Sequence, residues 1–300
     1  MKSGANTGAS FKMHVSLTLR NMSIFTDSAF FRERRAAALP TPAQVRALNE
    51  KNRGEDQINF DRPPPVKIES LGLFIKYGTH VTVAEIQTQM MIRTELRGRV
   101  PVPEVFGWTQ DQGQTFLYMS LVNGDPLHQR WPDMTRDERS QICAELRWTA
   151  SAWRSLSQNG NGCYIGSVYK QPLNDIFFTL NELVVGPFEG TDAVQQFQRE
   201  LDIDVASPGP IVFTHNDLVA CNILVAKTSA KLAAVVDWGQ AGWYPAYWEY
   251  CKARRVNVPD DRFYHEFEQE WKREYLPQIV DAVDEEEVWY PFLRFALSKI

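Results

Sequence analysis

The chain has 300 residues, of which 44% are hydrophobic and 23% are charged, as in ordinary globular proteins. The formal net charge of −5 argues against a nucleic-acid partner, because no basic stripe is present to neutralise phosphates. No apolar run approaches the roughly 20 residues that span a bilayer, so no membrane partner is expected. The four cysteines form no CxxC pair, which favours free thiols in a reducing compartment and predicts a cytoplasmic location.

Residues 1–60 are predicted to form an N-terminal extension. Within it, Thr41 and Pro42 make a good cap and first-turn pair, which predicts a short helix through about Leu48. Three consecutive prolines at residues 63–65 break any helix and indicate a linker into the first compact unit.

Residues 61–122 are predicted to form a small sheet that carries one helix. The pattern predicts strands at residues 66–69 and 71–77, a helix over 82–97, and a hairpin from 104–108 and 114–121. This unit is the predicted N-lobe.

Residues 123–300 are predicted to be mainly helical and form the C-lobe. Thr135 and Glu138 have the spacing of a capping box, and apolar residues at helical spacing follow, which predicts a long buried helix. Residues 186–210 are polar and are predicted to be irregular. Three short strands are then expected, at 211–214, 222–226 and 232–238, followed by an aromatic-rich helix over 245–255.

The sequence HNDLVACN at residues 215–222, followed by Asp237, carries the chemistry. Phosphoryl transfer from ATP needs positioning, charge neutralisation by Mg²⁺ and a carboxylate directed at the acceptor hydroxyl. Asp217 could face the acceptor, and the oxygens of Asn222 and Asp237 suit a hard divalent cation. The alternative is that Asp217 caps a turn and Asn222 is an ordinary turn residue.

Five short segments resemble the aminoglycoside phosphotransferase and choline kinase-like branch of the kinase superfamily, most closely its large fungal group. The segments are FIKYG at 74–78, VPVP at 100–103, FTHNDL at 213–218, VDW at 236–238 and AGWYPAYWEY at 241–250. The resemblance implies an α+β, two-lobed protein-kinase-like fold, with a small antiparallel N-lobe sheet and a larger helical C-lobe. It also implies ATP and Mg²⁺ as cofactors and a small-molecule hydroxyl group as the acceptor.

The same resemblance implies roles for individual residues. Asp217 is expected to be the catalytic base, with His215 supporting its loop. Asn222 and Asp237 are expected to hold Mg²⁺, and Lys76 to contact the ATP phosphates.

The resemblance further implies that adenine hydrogen-bonds to the backbone around Ser120 and Val122. Glu85 is the expected ion-pair partner of Lys76, although it could instead complete a capping box with Thr82, and Glu95 is a second possible partner.

One departure from the family pattern concerns the phosphates. Gly72 is the only glycine among residues 66–73, so the glycine-rich hairpin that covers the phosphates is absent or shortened. This departure supports an alternative function, a nucleotide-binding pseudokinase or scaffold. A protein-substrate kinase is not favoured, because no activation-loop pattern follows Asp237.

The acceptor is open. The aromatic residues at 238–248 could line a pocket for a cationic acceptor, or they could simply pack the core. Glu249 is a candidate to bind an amine group.

Overall fold

The computed structural model describes residues 22–53, 59–158, 163–179, 183–255, 267 and 269–299. Residues 1–21 and 54–58 of the predicted extension lie outside the described residues. Within the described ranges, no helix combines the length and the apolar character needed to cross a membrane.

The first unit is built on a five-stranded antiparallel sheet in the order β1-β4-β5-β3-β2. Its strands are β1 (Met22–Ile24), β2 (Val66–Ile68), β3 (Leu73–Gly78), β4 (Val105–Asp111) and β5 (Gln114–Ser120). Side chains alternate between the two faces of β3, as in any strand. Ile75 and Tyr77 join the core on one face, and Phe74 packs on the other, which is also the face of Lys76.

Residues 22–53 cover one face of this sheet. Helices α1 (Ala29–Arg32) and α2 (Pro42–Arg53) place Phe30 and Val45 in a core cluster with side chains of four of the strands. The division of the chain at residue 60 stays a prediction. The described part of the extension nevertheless contributes a strand and core side chains to the sheet.

Helix α2 is longer than the sequence predicted. It was expected to end near Leu48, whereas it continues to Arg53. Asn49 is buried, and its Nδ2 donates to Pro64 O (2.7 Å) and to the Tyr77 hydroxyl (2.8 Å). These contacts with the proline linker and the sheet therefore stabilise the last turn of α2. The polar sequence of that turn does not by itself predict a helix.

Helix α3 (Val83–Glu95) packs against the opposite face of the sheet. Its first turn is capped by Thr82, whose Oγ1 accepts from the Glu85 amide (3.1 Å). Ile86 packs with Leu117 and Met119 of β5. This packing brings the start of α3 close to the middle of β3, and thereby brings Glu85 close to Lys76.

The remaining elements form the larger unit, which contains most of the helices. In chain order they are β6 (Gly124–Pro126), α4 (Leu127–Arg130), α5 (Arg136–Arg154), β7 (Tyr164–Ile165), α6 (Ile176–Thr179), β8 (Phe188–Glu189), α7 (Ala193–Leu201), β9 (Ile211–Thr214), β10 (Ile223–Ala226), β11 (Leu232–Val235), β12 (Gly242–Pro245) and α8 (Trp248–Arg255), followed by helices Leu276–Ile279 and Tyr290–Ser298. Strand β10 pairs with both β6 and β11, and β9 pairs with β12.

Helix α5 is the long buried helix that the sequence predicted. Thr135 and Glu138 form the capping box in full, with bonds in both directions. Leu146 and Trp153 are completely buried on its inner face. The prediction of this helix and of its start is confirmed.

Helix α7 contradicts the prediction that residues 186–210 are irregular. Ala193, Phe197 and Leu201 lie four residues apart and are all buried, whereas the intervening residues are polar except for the partly buried Val194. A narrow apolar stripe of three side chains is enough for a nine-residue helix when it packs on the aromatic core around Trp248.

The aromatic residues of positions 238–248 are core residues. None of the five is more than 5% exposed, and the side chains of Tyr244 and Trp248 stack at 5.7 Å. These five residues therefore pack the core and do not line a pocket for an acceptor. The five are Trp238, Trp243, Tyr244, Tyr247 and Trp248.

Candidate active site

The predicted catalytic loop, residues 215–222, connects β9 to β10. His215 is completely buried beneath it, with its ring 4.4 Å from that of Trp238. The Asp217 amide donates to His215 Nδ1 (3.2 Å), so Nε2 carries the proton and donates to Val236 O (3.0 Å). Burial lowers the pKa of His215, in agreement with a neutral ring. The histidine thus links the loop to the strand that precedes Asp237.

Asp217 and Asn222 are joined across the loop. Asn222 Nδ2 donates to Asp217 Oδ2 (2.9 Å) and to the Asp217 carbonyl (3.0 Å). Because the amide nitrogen faces the aspartate, the Asn222 oxygen faces away from it. Burial raises the pKa of Asp217, and the nearby Asp237 carboxylate raises it further.

Lys76 bridges two carboxylates. Its Nζ lies 2.7 Å from Glu85 Oε1 and 2.7 Å from Asp237 Oδ1. Burial alone would lower the pKa of Lys76, but the two carboxylates outweigh it and hold the pKa above its usual value. For Asp237 the two effects have the opposite direction: burial would raise its pKa, but Lys76 holds that pKa below its usual range.

Glu85 takes the ion-pair alternative. Its backbone N–H completes the Thr82 cap, while its side chain is buried and directed at Lys76. Burial raises the pKa of this carboxyl group. No bond from Glu95 to Lys76 is found among the described residues.

Asn222 and Asp237 come together through the β10–β11 hairpin. The Val236 amide donates to Asn222 O (2.9 Å), which places the following residue, Asp237, beside the end of the catalytic loop. Asp237 lies in the left-handed region (φ 64°), and its side chain is 42% exposed. A Cβ on Gly239 would lie 3.3 Å from Glu85 Oε2 and 3.4 Å from Asp237 Oδ1, so this glycine lies against both carboxylates that hold Lys76.

These oxygens fit a magnesium ion. Within the described residues there is no group of three or more His, Cys, Asp or Glu side chains suited to a metal. Mg²⁺ in phosphotransferases, however, takes one or two protein oxygens and completes its shell with phosphate oxygens and water. The Asn222 amide oxygen, together with the part-exposed Asp237 carboxylate, is a donor set of that kind.

The end of β5, the central strand of the sheet, leads into the linker to the larger unit. The Ser120 amide donates to Glu104 O (2.8 Å), and the Leu121 amide donates to Gly72 O (2.9 Å). The sheet therefore uses both donors. Among the described residues, no hydrogen bond from the Val122 amide is found, which leaves this donor available to a nucleotide base.

The connection between β2 and β3 is short. It consists of one 3₁₀ turn, Glu69–Leu71, and Gly72 in the left-handed region (φ 54°). Arg35 Nη1 contacts the carbonyl oxygens of Leu71 and Gly72, both at 3.3 Å. A projecting glycine-rich hairpin is thus missing at this point, as the sequence indicated.

Glu249 corrects one expectation. It was a candidate for binding an amine, but it is completely buried and accepts from the amides of His215 (2.7 Å) and Asn216 (3.3 Å). Its other oxygen accepts from Trp153 Nε1 and Arg154 Nη1, both at 3.2 Å. The carboxylate therefore holds the backbone of the catalytic loop. Its place between Trp248 and Tyr250 in a buried helix was the signal for such a role.

Asp175 was not found by sequence reasoning. It lies just before α6 and is completely buried, with Lys252 Nζ at 2.7 Å and Asn216 Nδ2 at 2.8 Å. A lone aspartate before a short helix has no distinguishing pattern in sequence.

Comparisons with known proteins show the family and the fold of the chain. The sequence profile of the phosphotransferase enzyme family (APH) matches residues 75–282. The GDP complex of wild-type aminoglycoside 2'-phosphotransferase-IIIa is similar with a TM-score of 0.50 and 12% identity, over 87% of this chain and 89% of that one. An apo thermostable mutant of aminoglycoside phosphotransferase APH(4)-Ia gives 0.47 and 15%, over 78% and 79%. A search of curated proteins gives no match.

The sheet with its inner helix and its lysine–glutamate pair, together with the larger helical unit, defines an α+β, kinase-like fold. The 2'-phosphotransferase structure shares that fold. The family profile covers more than half of the sequence. The chain therefore belongs to the phosphotransferase enzyme family. The predicted fold class and the predicted family are both confirmed.

Proposed function

We propose that this protein is an ATP- and Mg²⁺-dependent phosphotransferase that acts on a hydroxyl group of a small molecule. The observation that carries the proposal is the meeting of Lys76 from the sheet with Asp237, 161 residues later, beside the loop that joins Asp217 to Asn222. Membership of the family supports the class of reaction. The GDP bound to the 2'-phosphotransferase supports nucleotide use by this fold.

The metal and phosphate side would be formed by three residues. Asn222 and Asp237 would hold Mg²⁺, which neutralises phosphate charge when it is bound. Lys76 stays protonated and is held by Glu85, so it can contact a phosphate oxygen in place of Asp237 Oδ1. The Val122 amide would bind the nucleotide base, beside Ser120.

The acceptor side would depend on Asp217. Its carboxylate would orient the acceptor hydroxyl and receive its proton as the oxygen attacks the γ-phosphorus. One oxygen–phosphorus bond forms to the acceptor, and the bond to the leaving nucleoside diphosphate breaks. Asn222 holds Asp217 Oδ2 through its amide nitrogen, which fixes the direction of the carboxylate.

The acceptor is proposed by class alone. A cationic acceptor stays an option, although neither Glu249 nor the buried aromatic residues would bind it. The cytoplasm is proposed as the compartment, since all four cysteines are free thiols.

A nucleotide-binding pseudokinase is the second candidate. The short β2–β3 connection favours it, because little backbone is available there to cover the phosphates. The enzyme and the pseudokinase would both bind nucleotide, but only the enzyme would transfer phosphate to an acceptor.

The deciding experiment compares wild type with Asp217→Ala in a phosphorylation screen of a metabolite pool, using γ-labelled ATP and GTP. We expect Mg²⁺-dependent transfer by wild type, its loss with a chelator, and a fall of about 10²–10⁴-fold in Asp217→Ala, because the general base is removed. Thermal unfolding checks that the variant is folded. Asp192→Ala, which removes an exposed aspartate at the start of α7, serves as the control.

Near-normal transfer by folded Asp217→Ala would refute the role given to this residue. Binding of Mg-nucleotide without transfer to any acceptor in the pool would favour the pseudokinase.

A further inference from the structure

Asp175 is the centre of a buried polar cluster beside the catalytic loop. Its Oδ1 accepts from Lys252 Nζ (2.7 Å) and from the Phe177 amide (2.9 Å). Its Oδ2 accepts from Asn216 Nδ2 (2.8 Å) and from Trp248 Nε1 (3.0 Å). All four donors converge on one carboxylate that has no exposure to solvent. Such full satisfaction is what a buried charge requires.

Lys252 makes this burial possible. The lysine is only 4% exposed, and its Nζ also donates to Gln240 Oε1 (2.8 Å). The ammonium balances the charge of Asp175 through Oδ1 (2.7 Å). The Oδ2 atom of Asp175 is therefore available to Asn216 and Trp248.

Asn216 has an unusual backbone. It lies between His215 and Asp217 with φ at 66°, in the left-handed region, which asparagine adopts more readily than most non-glycine residues but less readily than glycine. Its side-chain amide donates to Asp175 Oδ2 and, at 3.3 Å, to Gln240 O. The direction of the next residue, Asp217, depends on this conformation.

We infer that Asp175, held by Lys252, is a positioning residue for phosphoryl transfer, which keeps Asn216 in the left-handed conformation and thereby aims Asp217. The inference rests on the proposed function for its effect on turnover. Its effect on the loop itself can be measured without turnover.

The first test is Asp175→Asn. The amide oxygen would face the Lys252 ammonium, which turns the NH₂ group toward the Asn216 donor and breaks that bond. We expect kcat to fall on the order of 10²-fold, as for a displaced catalytic group, while the KM for nucleotide is unchanged. Amide hydrogen exchange within residues 215–222 should rise by roughly ten-fold or more.

The second test is rescue by glycine. Glycine adopts positive φ without any side chain to hold it, so Asn216→Gly added to Asp175→Asn should recover a large part of kcat. A merely structural ion pair would not be repaired by this change. For the same reason, Asn216→Ala should have a kcat roughly ten-fold below that of Asn216→Gly.

Glu270→Gln is the matched control. Glu270 also accepts from a tryptophan, Trp131 Nε1 (2.9 Å), and from a cation, Arg139 Nη1 (2.9 Å), but it lies away from the loop. The Glu270→Gln variant should have the kcat of wild type and the same amide hydrogen exchange within residues 215–222.

The outcomes separate the two proposals. If wild type transfers no phosphate, the proposed function fails, and faster loop exchange in Asp175→Asn and Asn216→Ala still supports the positioning role. If Asp175→Asn does not fold, the exchange and kcat of Asn216→Ala decide. Wild-type loop protection in Asn216→Ala, or a glycine double variant no better than Asp175→Asn, would overturn the inference.

Discussion

At the scale of single residues, Lys76 is one of the contacts that join the two units of the fold. Its ammonium group is shared by Glu85, from the helix beside it, and by Asp237, from the other unit, at equal distances of 2.7 Å. A bound nucleotide phosphate would compete with Asp237 for this ammonium, whereas Glu85 would keep its bond. Under the proposed function, this exchange would free the Asp237 carboxylate to bind the metal.

Cys221 offers a probe of this site. Its thiol is exposed and lies 3.8 Å from Asn222 Oδ1, the proposed metal ligand, whereas exposed Cys163 lies elsewhere in the chain. We expect alkylation of the native protein at both residues, with Mg-nucleotide slowing the reaction at Cys221 alone. Peptide mass spectrometry of the alkylated protein measures both rates.

Cys143 and Cys251 are buried and should react only after unfolding, which makes them markers of folded protein. Equal slowing at Cys163 and Cys221 would contradict a local effect of the nucleotide.

At the scale of elements, helix α5 supports the catalytic loop from behind. Trp153 and Arg154, in its last turn, both donate to the buried carboxylate of Glu249, which holds the loop backbone. The helix begins with the capping box of Thr135 and Glu138. One end of α5 is therefore fixed by local sequence, and the other end by contacts across the fold.

The capping box predicts a pH dependence of stability. Bonds from the Thr135 backbone and side chain lower the pKa of Glu138 in the folded protein below its usual 4.5. The ionised carboxylate therefore stabilises the fold above that value, and its contribution is lost as pH falls through the lowered pKa. Glu138→Gln keeps the capping geometry without the charge, so it should be less stable than wild type at pH 7.

Urea unfolding at a series of pH values measures this difference, which should shrink at acidic pH. In a Thr135→Ala background the effect of Glu138→Gln should shrink only in part, because the hydroxyl donor to Glu138 Oε2 (3.0 Å) is lost whereas the backbone N–H of residue 135 (2.8 Å) is kept. A difference that stayed constant with pH would contradict the assignment.

At the scale of the whole molecule, the five-stranded sheet lies between helix α3 on one face and helices α1 and α2 on the other. Helix α3 covers the face that carries Lys76, and residues 22–53 cover the other. Phe30 is completely buried within the second layer and contacts the ring of Phe106 at 5.4 Å. Residues 22–53 are in this way part of the structure that places Lys76.

Phe30→Ala tests that dependence. Loss of a buried phenylalanine typically costs about 3–5 kcal/mol, so the free energy of unfolding should fall by that amount. Phe60→Ala is the control, because Phe60 is 54% exposed and should change stability little. Chemical denaturation of both variants measures the difference. A loss of stability in Phe30→Ala no larger than in Phe60→Ala would show that the sheet does not rely on residues 22–53.

Local patterns explain what sequence reasoning predicted correctly. The capping box of Thr135 and Glu138 lies within four residues, and the buried face of α5 follows from helical spacing. The predicted catalytic loop is also a contiguous pattern, and it connects two strands as the sequence predicted, whereas its catalytic role stays a proposal. Such features depend only on the identity and spacing of a few neighbouring residues, so the sequence is enough to predict them.

Other features required the fold. Glu249 looked available to a substrate, and Asp175 had no visible role, until distant elements brought both against the catalytic loop. The sequence does not show whether a given carboxylate will be exposed to solvent or will accept hydrogen bonds from buried amides.

The sequence by itself determined the reaction class, the loop that carries Asp217 and Asn222, and the order of most elements, because these depend on neighbouring residues. Only the tertiary structure decided that residues 22–53 complete the sheet and that Asp175 and Glu249 hold the loop. The physical reason is that burial and pairing of charges depend on surfaces more than 30 residues apart in the chain, which become neighbours only when the core has packed.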